Sequence, residues 1–251
     1  MQKIFVLSDI HGMYEHFNEA LRHWDPTSAQ LVILGDLIDR GPDSLKVVRK
    51  AMELKKKYEH VHVLAGNHDS MLQEFVDYPL QSNMYLYKNG GLATVQSFMP
   101  HTVEGMTLIG IADYIAVNYK AELSFLKELP PYGTIGNVLF THAGFDTTAY
   151  NWRNTSAEDF IWIRNHYLNK NRSGYINIFG HTPTTNIHPH TQENRHDIWV
   201  SEDKTYIAID GACAYGGQLN AVLLNKDGDI LDVIGVRESH VKMNSIQEVN
   251  P

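Results

Sequence analysis

The chain has a single cysteine, Cys213, so neither a disulfide framework nor a thiolate-built zinc site can organise its 251 residues. It has no apolar run near the roughly 18 residues that a membrane-spanning helix needs. The opening MQKIFVLSD turns polar at Ser8, well short of the roughly 7–15 apolar residues of a secretory leader. It reads instead as the first strand of a cytoplasmic protein. Basic residues are in deficit: 21 Lys and Arg against 29 Asp and Glu leave a net charge of −8. That is the wrong sign for a general nucleic-acid or anionic-membrane surface. No Walker A loop and no GxGxxG run occur, which removes the usual pointers to kinases and dehydrogenases. A cysteine phosphatase would need an arginine six positions after its cysteine. Leu219 stands there, so Cys213 reads as a small packed residue. Repeats, low-complexity stretches and Ser/Gly linkers are also missing, so residues 1–251 read as one domain. What is plentiful is apolar side chains, at 43%, and histidine, with 14.

Short runs rich in Val, Ile and Leu recur at Ile4–Leu7, Leu31–Leu34, Val61–Leu64, Val138–Phe140, Tyr175–Phe179 and Tyr206–Ile209. Near-continuous apolar runs of this length suit strands covered on both faces. Between the first three lie helical periods: Met13, Phe17, Ala20, Leu21 and Trp24, then Leu45, Val48, Ala51 and Met52. The alternation predicts βαβ units and a largely parallel sheet, while the last quarter has strands without helices between them. The fold class is therefore mixed α/β.

The chemistry lies in the polar residues at the end of each run. The segments are Ser8-Asp9-Ile10-His11-Gly12, Gly35-Asp36-Leu37-Ile38-Asp39-Arg40-Gly41, Gly66-Asn67-His68-Asp69, His142-Ala143-Gly144 and Gly180-His181-Thr182-Pro183. Taken singly, an Asp after a strand is most often a turn or a cap, and a lone His is most often structural. Five such segments at the carboxyl ends of strands, the edge where open α/β sheets bind ligands, are a different matter. Oxygen and imidazole ligands without thiolate suit a pair of Mn, Fe or Zn ions, with one carboxylate shared between them. Two such ions polarise a phosphoryl group and yield hydroxide near neutral pH. Two divalent cations held by two carboxylates leave a small positive balance before Arg40 is counted, which suits a phosphate dianion. His188, His190 and His196 cluster without a preceding strand and read as a solvated loop.

The ordered set DxHG, GDxxDRG, GNHD, HAG and GHTP resembles the phosphoprotein phosphatase branch of the calcineurin-like metallophosphoesterases, above all its short bacterial and phage members. The resemblance covers roughly residues 3–224. It implies a four-layer αββα sandwich, two mixed sheets flanked by helices, with metals at the carboxyl ends of strands. Asp9, His11 and Asp36 would hold one divalent ion. Asp36, Asn67, His142 and His181 would hold the other, with Asp36 bridging; manganese is the first expectation, and iron, zinc or nickel are alternatives. His68 would protonate the leaving oxygen, Asp39 would orient it, and Arg40 would grip phosphate. Arg164, in Phe160-Ile161-Trp162-Ile163-Arg164, matches the family's second arginine. Asp69 stands where the family more commonly has Glu. Ile209-Asp210-Gly211-Ala212 reads as a structural turn near the site.

The favoured function is hydrolysis of phosphoserine and phosphothreonine by in-line attack of a hydroxide shared between the metals, with no phosphoenzyme. Phosphoprotein or a small phosphorylated molecule would be the partner, without nucleic acid or membrane. The alternative is a dinucleoside polyphosphate hydrolase, because symmetrical diadenosine tetraphosphatases share these motifs. A nuclease fits the net charge poorly. A non-catalytic scaffold fits poorly too, since every matched position is filled. Residues 79–135 carry Asn89-Gly90-Gly91, a turn like one in bacterial relatives, but no catalytic pattern, and form a possible substrate-selecting insertion. The tail after about Val236, ending Ser245–Pro251, has no pattern at all.

Overall fold

Alternation along the first strand already dictates two layers. In β1 (Lys3–Leu7) Phe5 and Leu7 face one core, while Ile4 and Val6 face another. The computed structural model describes residues 2–99, 101 and 103–241, so the Ser245–Pro251 tail lies outside the described residues. After β1 come α1 (Tyr14–Leu21), β2 (Ala29–Ile33), α2 (Ser44–Lys57), β3 (Val61–Val63) and α3 (Asn67–Asp77). The parallel pairs β1–β2 and β2–β3 fulfil the βαβ expectation. α1 ends at Leu21, before Trp24, whose indole donates to the Ala29 carbonyl at 2.9 Å.

The described part of residues 79–135 contains four α-helices, α4 (Asn83–Lys88), α5 (Gly91–Phe98), α6 (Leu108–Asn118) and α7 (Lys120–Lys127), followed by β4 (Tyr132–Ile135). Tyr85, Val95, Phe98, Ile115 and Leu126 of this stretch are buried in the same core as Phe5 and Leu7. β4 pairs antiparallel with β5 (Val138–Thr141). Then follow α8 (Ala157–Trp162), β6 (Ile176–Phe179), β7 (Trp199–Val200), β8 (Tyr206–Ala208), β9 (Leu219–Asn225) and β10 (Ile230–Val236).

Among the described residues two five-stranded mixed sheets result, ordered β10-β9-β1-β2-β3 and β4-β5-β6-β8-β7. They stack through Ile4, Val6, Val32 and Val222 of one and Val138, Phe140, Ile178 and Ile207 of the other, all at most 2% exposed. The outer face of the second sheet is covered by Phe145, Trp152 and Phe160 against Leu139, Phe179 and Tyr206. Helices thus flank the sheet pair, and β1, β2, β3, β5 and β6 run parallel within their sheets. Among the described residues no helix is long and apolar enough to cross a membrane.

Candidate active site

Each of those five parallel strands ends in one of the polar segments, and the stacking of the sheets gathers them. Asp9, His11, Asp36, Asp39, Asn67, His68, Asp69, His142 and His181 are all at most 6% exposed. Six residues of these loops, Asp9, His11, Asp36, Asp39, Arg40 and His181, adopt positive φ between 47° and 74°. Non-glycine residues avoid that region, and such strain gathers where tight loops must aim side chains inward. The flanking glycines also make room. A Cβ at Gly180 would run into the Asp9 carboxylate and Ser8, and one at Gly66 would run into Asp36.

Two overlapping groups of potential ligand atoms form, His11–Asp36–His68 and Asp36–His142–His181, with Asp36 common to both. His11 Nε2 lies 3.4 Å from Asp36 Oδ2 and 3.9 Å from Asp9 Oδ1. His142 Nε2 lies 3.4 Å from Asp36 Oδ1 and 3.0 Å from Asn67 Oδ1, and His181 Nδ1 lies 2.9 Å from the same Asn67 oxygen. Second partners aim the rings. His11 Nδ1 donates to the Ile38 carbonyl at 2.8 Å and His142 Nδ1 to the Leu34 carbonyl at 2.9 Å, so each turns Nε2 inward. The Asp9 carboxylate accepts from the His181 backbone N–H at 3.0 and 3.1 Å.

The electrostatics fit a divalent metal pair. Asp9, Asp36, Asp39, Asp69 and Asp210 are all buried here, and Arg40 brings one guanidinium to them. Burial by itself pushes the Asp36 carboxyl up, but His142, His68 and His11 hold it well below the ordinary range. Burial likewise pulls His142 down, yet Asp36, Asp9 and Asp69 raise it to about 9. Buried His181 Nε2 has no hydrogen-bond partner. A carboxylate-rich, imidazole-rich cluster of hard and borderline donors with an orphaned ring nitrogen suits divalent cations.

Beside the cluster, His68 Nδ1 donates to Asp39 Oδ2 at 2.7 Å. Arg40 donates from Nη1 to His11 Nε2 and from Nη2 to His68 Nε2, the latter at 2.9 Å. Exposed Arg164 reaches the rim, with Nη1 3.4 Å from the His181 carbonyl and from Thr182 Oγ1. The structure therefore brings Asp9, His11, Asp36, Asn67, His142 and His181, with Asp39, Arg40, His68 and Arg164, to one edge. His188 and His196 stand apart, each donating to a backbone carbonyl, of Asp197 and Gly211 respectively. Burial pushes the Cys213 thiol up to about 12.

Several participants were not legible as such. Asp69 accepts from the backbone N–H groups of Asp36, Leu37 and Gly66, each at 2.9 Å, and so ties the second loop to the third. An acid three residues after the start of a helix, reaching back to its first N–H, is a readable capping pattern. Asp210 is buried close enough to feel the charges of Asp9, Arg40 and Asp36. Two exposed rings border the cluster: Trp162 meets His181 edge-on at 6.0 Å, and Tyr215 lies 5.0 Å under Arg40.

Comparison with known proteins identifies the family. Residues 2–211 match the calcineurin-like phosphoesterase family. The chain is 24% identical over 244 residues to the asymmetrical bis(5'-nucleosyl)-tetraphosphatase of Oceanobacillus iheyensis, covering 87% of each. It is 28% identical over 187 residues to serine/threonine-protein phosphatase 1 of Salmonella typhimurium, covering 72% of this chain and 78% of that one. In three dimensions it superposes on a crystal structure of a proposed diadenosine tetraphosphatase with a TM-score of 0.63 at 22% identity, covering 94% and 95% of the two chains. A fold of two stacked mixed sheets, loops with candidate metal ligands at one edge and a match over most of the length lead to one conclusion: the chain belongs to the calcineurin-like phosphoesterases.

Proposed function

We infer that this phosphoesterase hydrolyses dinucleoside polyphosphates, rather than the phosphoserine and phosphothreonine esters that the motifs first favour. The likeness to an asymmetrical bis(5'-nucleosyl)-tetraphosphatase over 87% of both chains carries this reading. The exposed rings of Trp162 and Tyr215 support it, because a nucleobase stacks on such faces while the phosphates enter the cluster.

Asp9, His11 and Asp36 would hold one divalent ion, and Asp36, Asn67, His142 and His181 the other, with manganese the first choice. When bound, the metals polarise the phosphoryl group and supply the nucleophile at neutral pH. Arg40 offers its donor fork to the phosphate oxygens in place of the two imidazoles it now bridges. Arg164 takes the oxygens further along the chain. His68 presents Nε2 to the leaving oxygen and delivers a proton there. Asp39, on the other ring nitrogen, fixes the tautomer and stabilises the imidazolium. A nucleotide phosphate leaves with little help, so this acid matters most for esters with poorer leaving groups.

Likeness to serine/threonine-protein phosphatase 1 supports the phosphoprotein reading as second. One assay separates them. Metal-stripped protein reloaded with Mn²⁺ is offered diadenosine tetraphosphate and a phosphothreonine peptide at equal concentration. A kcat/KM ratio of about a hundredfold for the dinucleotide is expected. Its products, ATP with AMP or two ADP, identify the bond cut. The reverse ratio would make the chain a protein phosphatase.

A further inference from the structure

The Asp39–Arg40 turn combines two strained residues, at φ 74° and 71°, and several of the groups that hold it come from residues 79–135, a segment with no catalytic pattern. Asp39 Oδ2 is occupied by His68. Its other oxygen, Oδ1, accepts from the Tyr85 hydroxyl at 2.9 Å and from Thr94 Oγ1 at 2.6 Å. Thr94 Oγ1 also accepts from the Asp39 backbone N–H at 2.8 Å. Thr94 has one hydroxyl hydrogen, which the carboxylate takes. The Ser44 hydroxyl, 2.9 Å away, must therefore donate to Thr94. A relay thus runs from Ser44 through Thr94 to Asp39, with Tyr85 as a parallel donor. Asp39, Thr94 and Ser44 are fully buried, and Tyr85 is 4% exposed.

The neighbouring glycines are shaped to this contact. A Cβ at Gly91 would overlap the Tyr85 ring, so glycine there admits the ring that carries the hydroxyl to Asp39. The Gly90 carbonyl accepts from the Arg40 backbone N–H at 3.1 Å, and a Cβ at Gly90 would strike Arg40. The Asn89-Gly90-Gly91 turn and the helices beside it thus press on the working dipeptide from outside.

We propose that Tyr85 and Thr94 are positioning residues, which lock the Asp39 carboxylate so that Oδ2 faces His68 Nδ1 and His68 Nε2 faces the leaving oxygen. The proposal rests on His68 being the acid. Removing either donor frees the carboxylate to rotate, and His68 loses the fixed partner that sets its ring. The loss should scale with how much proton delivery a substrate needs, which a structural defect would not do.

The test compares phenyl phosphate, a poor leaving group, with p-nitrophenyl phosphate, a good one, on the manganese-loaded full chain. Tyr85→Phe and Thr94→Val should each lower kcat on phenyl phosphate about tenfold more than on p-nitrophenyl phosphate, with KM changed less than about twofold. Thr94→Ser, which keeps the hydroxyl, should restore most of the difference. His68→Asn is the reference. If it shows the leaving-group bias while Tyr85→Phe and Thr94→Val lose equally on both substrates, or lose nothing, the positioning role is wrong and the acid stands. If His68→Asn itself shows no bias, the acid assignment falls and takes the proposal with it.

Discussion

Among the described residues between 78 and 135 no side-chain-bearing residue has positive φ, whereas the loops at the strand ends hold six. The two regions meet at Asp39 and Arg40. The helical stretch is relaxed, apolar inside and regular, and it supplies Tyr85, Thr94 and the Gly90 carbonyl. The loop edge is strained and polar, and strain of about 1–3 kcal/mol per residue persists only where neighbours over-determine it. The contrast teaches that the loops carrying the candidate ligands are held from behind. Asp69 ties two of them together, Thr94 and Gly90 hold the turn after Asp36, and His166 packs under Gly144 beside His142.

The largest effect should come from the strained edge itself. Asp36→Asn removes the carboxylate common to both ligand groups, so bound metal and turnover should fall together, kcat/KM by about a thousandfold or more. Elemental analysis beside an activity assay checks this, and retention of both metal and turnover would refute it.

Next in size is the buried imidazole of His166, packed against Gly144. Burial lowers His166 to about 4 against the pull of its hydrogen bond to Asn177, so it is neutral in the fold. The unfolded chain takes up that proton near pH 6.5 and the folded chain only near 4. Stability therefore falls as pH falls through this window, by up to about 1.4 kcal/mol per unit and about 3 kcal/mol in all. Urea midpoints at pH 7 and 4.5 should show a shallower loss for His166→Gln than for the parent. An identical slope would mean that His166 contributes nothing to the pH dependence.

Asp69→Asn comes third. One amide oxygen cannot replace a carboxylate that serves three N–H groups, and a loss of about 2 kcal/mol is expected in denaturation of the metal-free protein. If Asp69→Asn unfolds at the parent's midpoint, the tie between loops is not what holds them.

The smallest effect probes the relaxed side. Gly90→Ala puts a Cβ against Arg40 at φ +91°, and KM for a phosphate ester should rise about fivefold with kcat changed less. A fall in kcat with KM unchanged would instead mean that the turn acts through Asp39.

Asp9, His11, Asp36, Asn67, His142 and His181 were legible because each comes just after an apolar run, and a run's end locates its side chains at a sheet edge without knowledge of the partner strands. Asp69 was legible only as a substitution for Glu, although its position in the first turn of a helix announced a carboxylate in search of backbone donors. Tyr85 and Thr94 were not legible at all. They look like any aromatic and any threonine on short helices, and their hydroxyls acquire meaning only 46 and 55 residues away, at Asp39.

Local chemistry thus announced β1, β2, β3, β5, β6 and β8, the βαβ start, and the order of the polar segments along the chain, but not β4, β7, β9 or β10. Hydrophobic period and turn residues act over a few positions, and a linear string displays them. Only the tertiary structure decided that β9 returns to lie beside β1, that two sheets stack so that loops 172 residues apart share Asp9 and His181, and that a helical segment clamps Asp39. Those outcomes depend on long-range packing and on pairing buried polar groups, which no short stretch of sequence contains.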